Sequence, residues 1–398
     1  MDEVTVVEQQ ADLESYCRAW RRAGRFAFDT EFIRDDTYEA ILCLVQVAAD
    51  GQVVLIDPTR SLDLTPFWDL VTDPEVTTIV HAGKEDFELC LRKTGKPPRN
   101  VFDVQIAAGF LGYGYPLNLT RLVSEFAGER ISKAQTLTDW LRRPLTEAQV
   151  RYACEDVAHL PRVYARMVEE LTRAGRLEWA QEEFQRFENP LHYRPPVRDR
   201  LFRLKGTKRL DGPSLAVLAR LIEWRDRWAQ QRNRPLRALM RDDVLVAIAR
   251  RRPKRASDLE VLRGFPQARN KKVVQELLRV IEEAWQTPPS EWPEPLHLPK
   301  EMPMGKVMLD ILSAVTRAIC EEWKVSHELV GSTQRLREVL DYRAGLLEQK
   351  PALLCGWRGE LIGRRLLELL DGHSELHVSG WPENPRVEIV THAGRKKG

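Results

Sequence analysis

The hydrophobic pattern changes period along the chain, and each change marks an element. Residues 11–23 (ADLESYCRAWRRA) have helical spacing and stop at Gly24. Residues 25–32, 40–49 and 52–57 then read as strands, the last two joined by Asp50-Gly51, a tight-hairpin signal. The pattern predicts a helix over 61–72, a short buried strand over 78–80, a helix over 84–95 and a brief strand near 100–102. Helices are predicted over 103–112, 117–127, 137–142 and 146–174, with Thr146 as the N-cap of the last. Strands followed by alternating strand and helix indicate a mixed sheet with helices packed on it. From about 210 to 285 the pattern is purely helical, and LAVLARLIEWRDRWAQQ reads as one long amphipathic helix. Six prolines between 286 and 304 mark a semi-rigid connector, and residues 305–371 form a second all-helical stretch. The implied division is a catalytic-type domain over 1–188, a linker over 189–209, helical domains over 210–286 and 305–372 separated by a Pro-rich linker at 287–304, and a tail over 373–398.

Composition adds little until charge is read locally. A length of 398 residues with 43% hydrophobic and 30% charged content fits a globular chain of two or three domains. No apolar run reaches the roughly 18 residues of a membrane span, and the acidic N-terminus lacks an export signal. The six cysteines lie far apart without a C-x-x-C pair, which points to reduced thiols in the cytoplasm rather than disulfides or a zinc site. The formal charge of +2 hides an asymmetry. Residues 190–290 hold 24 Lys and Arg against 11 Asp and Glu, a net +13, while the rest of the chain is net −11. A basic module on an acidic chain suggests a polyanionic partner. Arg250-Arg251-Arg252-Pro253-Lys254-Arg255 and Lys271-Lys272 are its densest runs, and the second opens a helix, whose N-terminus favours phosphate.

The candidate chemistry begins at Phe26-Ala27-Phe28-Asp29-Thr30-Glu31-Phe32. Residues i and i+2 of a strand share a face, so Asp29 and Glu31 project together from an apolar strand. Like charges that close repel, and a hard divalent cation is the simplest compensation. Asp86 falls in the first turns of the helix after His81-Ala82-Gly83, where an acid also suits the helix dipole. Tyr152 and Asp156 are four apart and share a helix face, with Glu155 offset from it. Phe28 and Phe32 flank the acids. Either stacks on a terminal base or belongs to the core, and the core reading is strongest for Phe28.

In order and spacing, this constellation resembles the DEDD exonuclease superfamily, in the subgroup with tyrosine in its third motif. FAFDTEFIRDDTYEAILCLVQVA, IVHAGKEDFELC, VFDVQIAAGFLG and KAQTLTDWLRRPLTEAQVRYACEDVAHLPRVY resemble ribonuclease D over roughly residues 20–175. LRGFPQARNKKVVQELLRVI resembles an HRDC domain, the helical nucleic-acid-binding module also found in RecQ-type helicases, and GWRGELIGRRLLELL a second, divergent copy.

The resemblance implies an α/β N-terminal domain with a ribonuclease-H-like mixed sheet, followed by two all-α HRDC-type domains. It implies a 3′-5′ exoribonuclease using two divalent ions (Mg²⁺ or Mn²⁺), with Asp29, Glu31, Asp86 and Asp156 as ligands and Tyr152 at the attacking water. The implied partner is RNA, with tRNA precursors as the expected substrate. Phe32, His81, Arg251, Arg252, Lys254, Arg255, Lys271 and Lys272 are the expected nucleic-acid contacts. Lys84, Asp103, Lys133 and Trp140 lie in matching strings without an assigned catalytic role. Two other readings stay open at this point: a DNA exonuclease on the same core, and a non-catalytic RNA-binding scaffold.

Overall fold

Alternation in the first third of the chain folds into one mixed sheet. In the computed structural model, residues 4–34, 37–131, 139–260, 262, 264–265, 270–294, 302–383 and 386–391 are described. The strands are β1 (Thr5–Val7), β2 (Arg25–Ile33), β3 (Ile41–Ala49), β4 (Gln52–Ile56), β5 (Thr77–Val80) and β6 (Val101–Asp103), in spatial order β1-β4-β3-β2-β5-β6. β3 and β4 are antiparallel, closed by Asp50 and Gly51 at φ of 49° and 79°, as a two-residue hairpin turn requires. β5 runs parallel to both β2 and β6. β1 is an addition to the expected set: three residues are too few to show a period, and only its parallel pairing with β4 reveals it.

Around the sheet lie α1 (Gln10–Ala23), α2 (Thr65–Val71), α3 (Lys84–Thr94), α4 (Val104–Phe110), α5 (Leu119–Ala127), α6 (Glu147–Ala158), α7 (Leu160–Arg173) and α8 (Leu177–Phe184). α1 buries Leu13, Cys17 and Trp20 on one face and stops at Gly24 in the left-handed region. Phe26 and Phe28 of β2 pack with Phe67 and Phe87 in the core, which settles Phe28 as a core residue. Two expectations change. The predicted helix over 146–174 is two helices, broken at His159, because Pro161 has no amide to donate and its ring opposes a continuous helix. Of the predicted helix over 137–142, residues 137–138 (like Lys133) lie outside the described residues, and 139–142 form a turn.

The chain divides into two compact units, residues 1–30, 44–190 and 299–398 in one and residues 31–43 and 191–298 in the other. Outside the segment 31–43, the secondary structure among the described residues of the second is helical, with α9 (Val197–Leu201), α10 (Gly212–Arg232), α11 (Leu236–Leu239), α12 (Asp242–Arg251), α13 (Ala256–Glu260) and α14 (Lys271–Gln286). Leu218, Leu221, Trp224, Leu245, Ile248 and Leu277 lie in its core, and Leu201 and Leu210, from the stretch expected to be a linker, are buried there too. Tyr38 packs on the same core, and the Asn233 side chain at the end of α10 accepts from the amides of Tyr38 and Glu39 at 3.0 and 3.1 Å.

The last hundred residues join the unit built on the sheet. They form α15 (Gly305–Trp323), α16 (His327–Val330), α17 (Thr333–Arg343) and α18 (Gly356–Arg358), which runs through a π-helical turn into α19 (Arg364–Leu370). Within the stretch expected as a tail, β7 (Ser374–Ser379) and β8 (Arg386–Thr391) pair as an antiparallel hairpin. Glu183 of α8 is 3% exposed and accepts from Arg358 Nη1 at 2.8 Å and Trp357 Nε1 at 3.2 Å. Burial alone would raise its carboxyl, but the Arg358 guanidinium holds it below the ordinary range. Arg358 spends its other donors on the carbonyls of Leu329 and Val330, so no charge in this contact is left unpaired.

The turn between β5 and α3 positions much of the site. Ala82 takes a left-handed φ of 58°, and Gly83 presses so close to β5 that an added Cβ would meet Val80 at 2.6 Å. Asp103, 2% exposed, accepts from the amides of Ala82, Gly83, Gln105 and Ile106, and so ties this turn to the start of α4. Gly83→Ala should destabilise the fold by about 1–3 kcal/mol, the usual range for overpacking. A denaturant midpoint equal to the parent's would show that the turn yields without strain.

Candidate active site

Three acids from two elements meet at the end of β2. Ligand atoms of Asp29, Glu31 and Asp156 all lie within 4.8 Å of one another, and each side chain is half-buried. β2 supplies the first two on one face, as its pleat dictates. α6 supplies the third. Thr146 and Gln149 close a reciprocal capping box at its start, which fixes where its second and third turns lie. The Tyr152 hydroxyl donates to the Asp156 carboxylate one turn further on.

Asp86 is held differently. It is 6% exposed in the first turn of α3, and the Thr30 hydroxyl donates to it. Thr30 lies between the two acids of β2, so Asp86 is tied to the same strand end without sharing the three-acid cluster. Burial raises the Asp86 carboxyl to about 6, against the lowering effect of Thr30. Burial likewise raises Asp156 to about 7; the Tyr152 bond opposes this and the Glu155 charge adds to it. Both acids therefore sit where negative charge is disfavoured, and a cation supplied to them relieves that penalty.

Beside the cluster is a cavity of about 260 Å³ bordered by Asp29, His81, Asn118, Tyr152, Glu155 and Asp156. Glu155, expected to point elsewhere, lines it as well. It is three residues from Tyr152, and i, i+3 neighbours share a helix face as i, i+4 neighbours do. The His81 Nε2 lies 2.8 Å from the Leu117 carbonyl, which can only accept, so this nitrogen carries the proton. Asn118 caps α5 and was not singled out from the sequence; its Asn-before-helix signal reads only as a cap. Trp140, 6% exposed, lies with its indole against the Tyr152 ring, centroids 6.0 Å apart. Phe32 is half-buried with the Arg34 guanidinium 4.8 Å from its ring centre.

The basic residues belong to the other unit. Arg251, Lys254, Arg255, Lys271 and Lys272 are exposed. Lys271 opens α14, behind the Asn270 cap. Arg252 differs. It ends α12 at a left-handed φ of 50°, pairs with Asp211 at 3.3 Å and lies 4.9 Å from the Trp285 ring centre.

An acid raised by burial binds a proton in the folded chain at pH values where the unfolded chain has lost it. For Asp156 that window runs from about 4 to about 7, and stability falls as pH rises through it. Asp156→Asn should therefore stabilise the metal-free chain by on the order of 1–3 kcal/mol at pH 8, and the gain should vanish near pH 4. Urea melts at the two pH values check this, and a gain independent of pH would refute it.

Comparison with known proteins gives the chain a family. Residues 4–172 match the family described as 3′-5′ exonuclease, residues 214–281 the HRDC domain, and residues 303–366 the C-terminal HRDC domain of ribonuclease D. Ribonuclease D of Pseudomonas paraeruginosa is 36% identical over 371 residues, 93% of this chain and 98% of that one. Ribonuclease D of Gluconacetobacter diazotrophicus is 34% identical over 377 residues, 93% of each chain. The crystal structure of Escherichia coli RNase D, described as an exoribonuclease involved in structured RNA processing, superposes with a TM-score of 0.82 at 30% identity, covering 93% of this chain and 99% of that one. With the exonuclease and both HRDC segments matched over most of its length, the chain belongs to the ribonuclease D family of 3′-5′ exoribonucleases.

Proposed function

We propose that the chain trims the 3′ ends of structured RNAs, tRNA precursors among them, releasing 5′-mononucleotides with the help of two divalent ions, Mg²⁺ or Mn²⁺. The observation that carries the reading is the three-carboxylate cluster of Asp29, Glu31 and Asp156 beside a cavity with Tyr152 in its wall. Asp29, Glu31 and Asp156 would hold one ion, and Asp29 and Asp86 would hold a second. Bound there, two divalent ions supply an activated water and offset the charge on the leaving oxygen. The water oxygen bonds to phosphorus as the P–O3′ bond breaks, freeing the terminal nucleotide and a new 3′-hydroxyl. Tyr152 orients that water; an ordinary phenol, with a pKa near 10, is a poor base at neutral pH. His81, whose Nε2–H is taken by Leu117, and Phe32 are the contacts proposed for the terminal nucleotide.

The helical unit is proposed to capture the body of the RNA. Arg251, Lys254, Arg255, Lys271 and Lys272 are exposed cations of the densest basic runs. Arg252, also expected to contact RNA, already serves Asp211 and Trp285 and contributes less. Six free cysteines support a reducing compartment, the cytoplasm, as the place of action.

Single-stranded RNA and matched DNA, each with Mg²⁺, Mn²⁺ or EDTA, test the reaction. Mononucleotides should leave the 3′ end of RNA only with a divalent ion; cleavage of circular RNA or activity in EDTA would contradict this, and faster DNA turnover would favour a DNA enzyme. Asp29→Asn should lower kcat by at least about 10³-fold, and Tyr152→Phe by about 10²-fold, the scale of lost positioning of a reacting group. Near-normal turnover in either variant removes that residue from the mechanism.

Replacing Arg251, Arg255, Lys271 and Lys272 together by Ala in the full chain tests capture. Affinity for a folded RNA should fall tenfold or more, with the log–log salt slope shallower by roughly 2–4, while kcat on short oligonucleotides stays unchanged. An equal salt slope in parent and variant would assign this surface to something other than RNA.

A further inference from the structure

Orienting a water demands that the Tyr152 hydroxyl itself be held, and a phenol swings on two side-chain torsions. Its bond to Asp156 fixes the tip. The ring is held by Trp140, whose indole lies 6.0 Å from it, tilted by 41°. Trp140 sits in a turn, so no helix or sheet ladder holds its own backbone. Arg143 supplies that support. Its Nη1 donates to the Trp140 carbonyl at 2.7 Å, while Nε and Nη2 grip the two oxygens of Asp57 at 2.7 and 2.8 Å.

Asp57 is a firm anchor. It follows β4, is 2% exposed, and also accepts from the Thr59 amide at 3.0 Å and hydroxyl at 2.6 Å. A two-pronged guanidinium–carboxylate pair fixes direction as well as distance. The turn has a second tie at its other end: Gln149 Nε2 donates to the Asp139 carbonyl at 3.1 Å, and Gln149 belongs to the cap of the helix that bears Tyr152. The indole is thus clamped between the sheet, through Arg143, and α6, through Gln149.

We propose that Arg143, anchored on Asp57, is a positioning residue for the hydrolysis: it holds Trp140 as the wall that keeps the Tyr152 hydroxyl aimed at the attacking water. This rests on the role of Tyr152 given above. Lysine at 143 keeps the charge but cannot grip both Asp57 oxygens and the Trp140 carbonyl at once, because an ammonium is a point donor and a guanidinium a planar fork.

The test is a four-member kinetic cycle in the full chain: parent, Arg143→Lys, Tyr152→Phe and the double variant, each shown to be folded at the assay temperature by thermal melting. Arg143→Lys should lower kcat about tenfold, with KM and the Mn²⁺-induced rise in melting temperature unchanged. In the Tyr152→Phe background the same substitution should change kcat less than twofold, since the hydroxyl it positions is gone. An equal loss in both backgrounds, or no loss in the parent, overturns the proposal. If Arg143→Lys does not fold, Trp140→Phe enters the same cycle with the same expectations. Thr59→Val removes a bond to Asp57 without touching Arg143 and should leave kcat unchanged; a tenfold loss there would show that any loosening around Asp57 suffices, and would also overturn it. A Tyr152→Phe variant as fast as the parent would instead refute the role of Tyr152 itself, and is read separately from the effect of Arg143.

Discussion

Repulsion among carboxylates is the constraint that the rest of this structure answers. Oxygens of Asp29, Glu31 and Asp156 lie within 4.8 Å of one another. At the effective dielectric of a protein surface, each ionised pair at that separation repels by on the order of 3–4 kcal/mol. Three such pairs approach the whole stability of an ordinary domain, roughly 5–15 kcal/mol. A cation offsets that repulsion, and it also relieves the cost of burial that raises Asp156. A chain that keeps them together has to anchor each so that retreat is not an alternative. β2 does so with a pleat, α6 with a capped N-terminus, and Thr30 with a hydroxyl on Asp86.

Other buried carboxyl groups do part of the anchoring. Asp103 accepts four amides at the junction of β5, α3 and α4, and Asp57 takes both prongs of Arg143. Neither carboxylate belongs to the acid cluster. Each is satisfied by donors fixed in the chain, whereas the cluster's acids face one another.

Much of this was legible in the sequence because it is local. The pleat puts Asp29 and Glu31 on one face, a helix turn puts Tyr152 beside Asp156, and Asp50-Gly51 can hardly be anything but a hairpin. What escaped is non-local or depends on dihedral angles. The Arg143–Asp57 pair joins residues 86 apart, and no spacing announces it. In Ala82-Gly83 the left-handed residue is Ala82, and Gly83 serves close packing. β1 is too short for a period, and the β7–β8 hairpin lies in the stretch expected as a tail. Glu155 escaped because one side of a helix was taken to be narrower than it is.

The pairing of Glu183 with Arg358 bears on how the molecule is made. The unit built on the sheet is discontinuous: the stretch 191–298 that interrupts it belongs to the other unit. At about 5–20 residues per second, Arg358 leaves the ribosome on the order of ten to thirty-five seconds after Glu183. During that interval Glu183 and the faces of α4 and α8 that receive Trp357 stand in water, and the interrupting helical unit has time to close around its own core. The nuclease unit is thus finished from the far end of the chain, after the module that interrupts it.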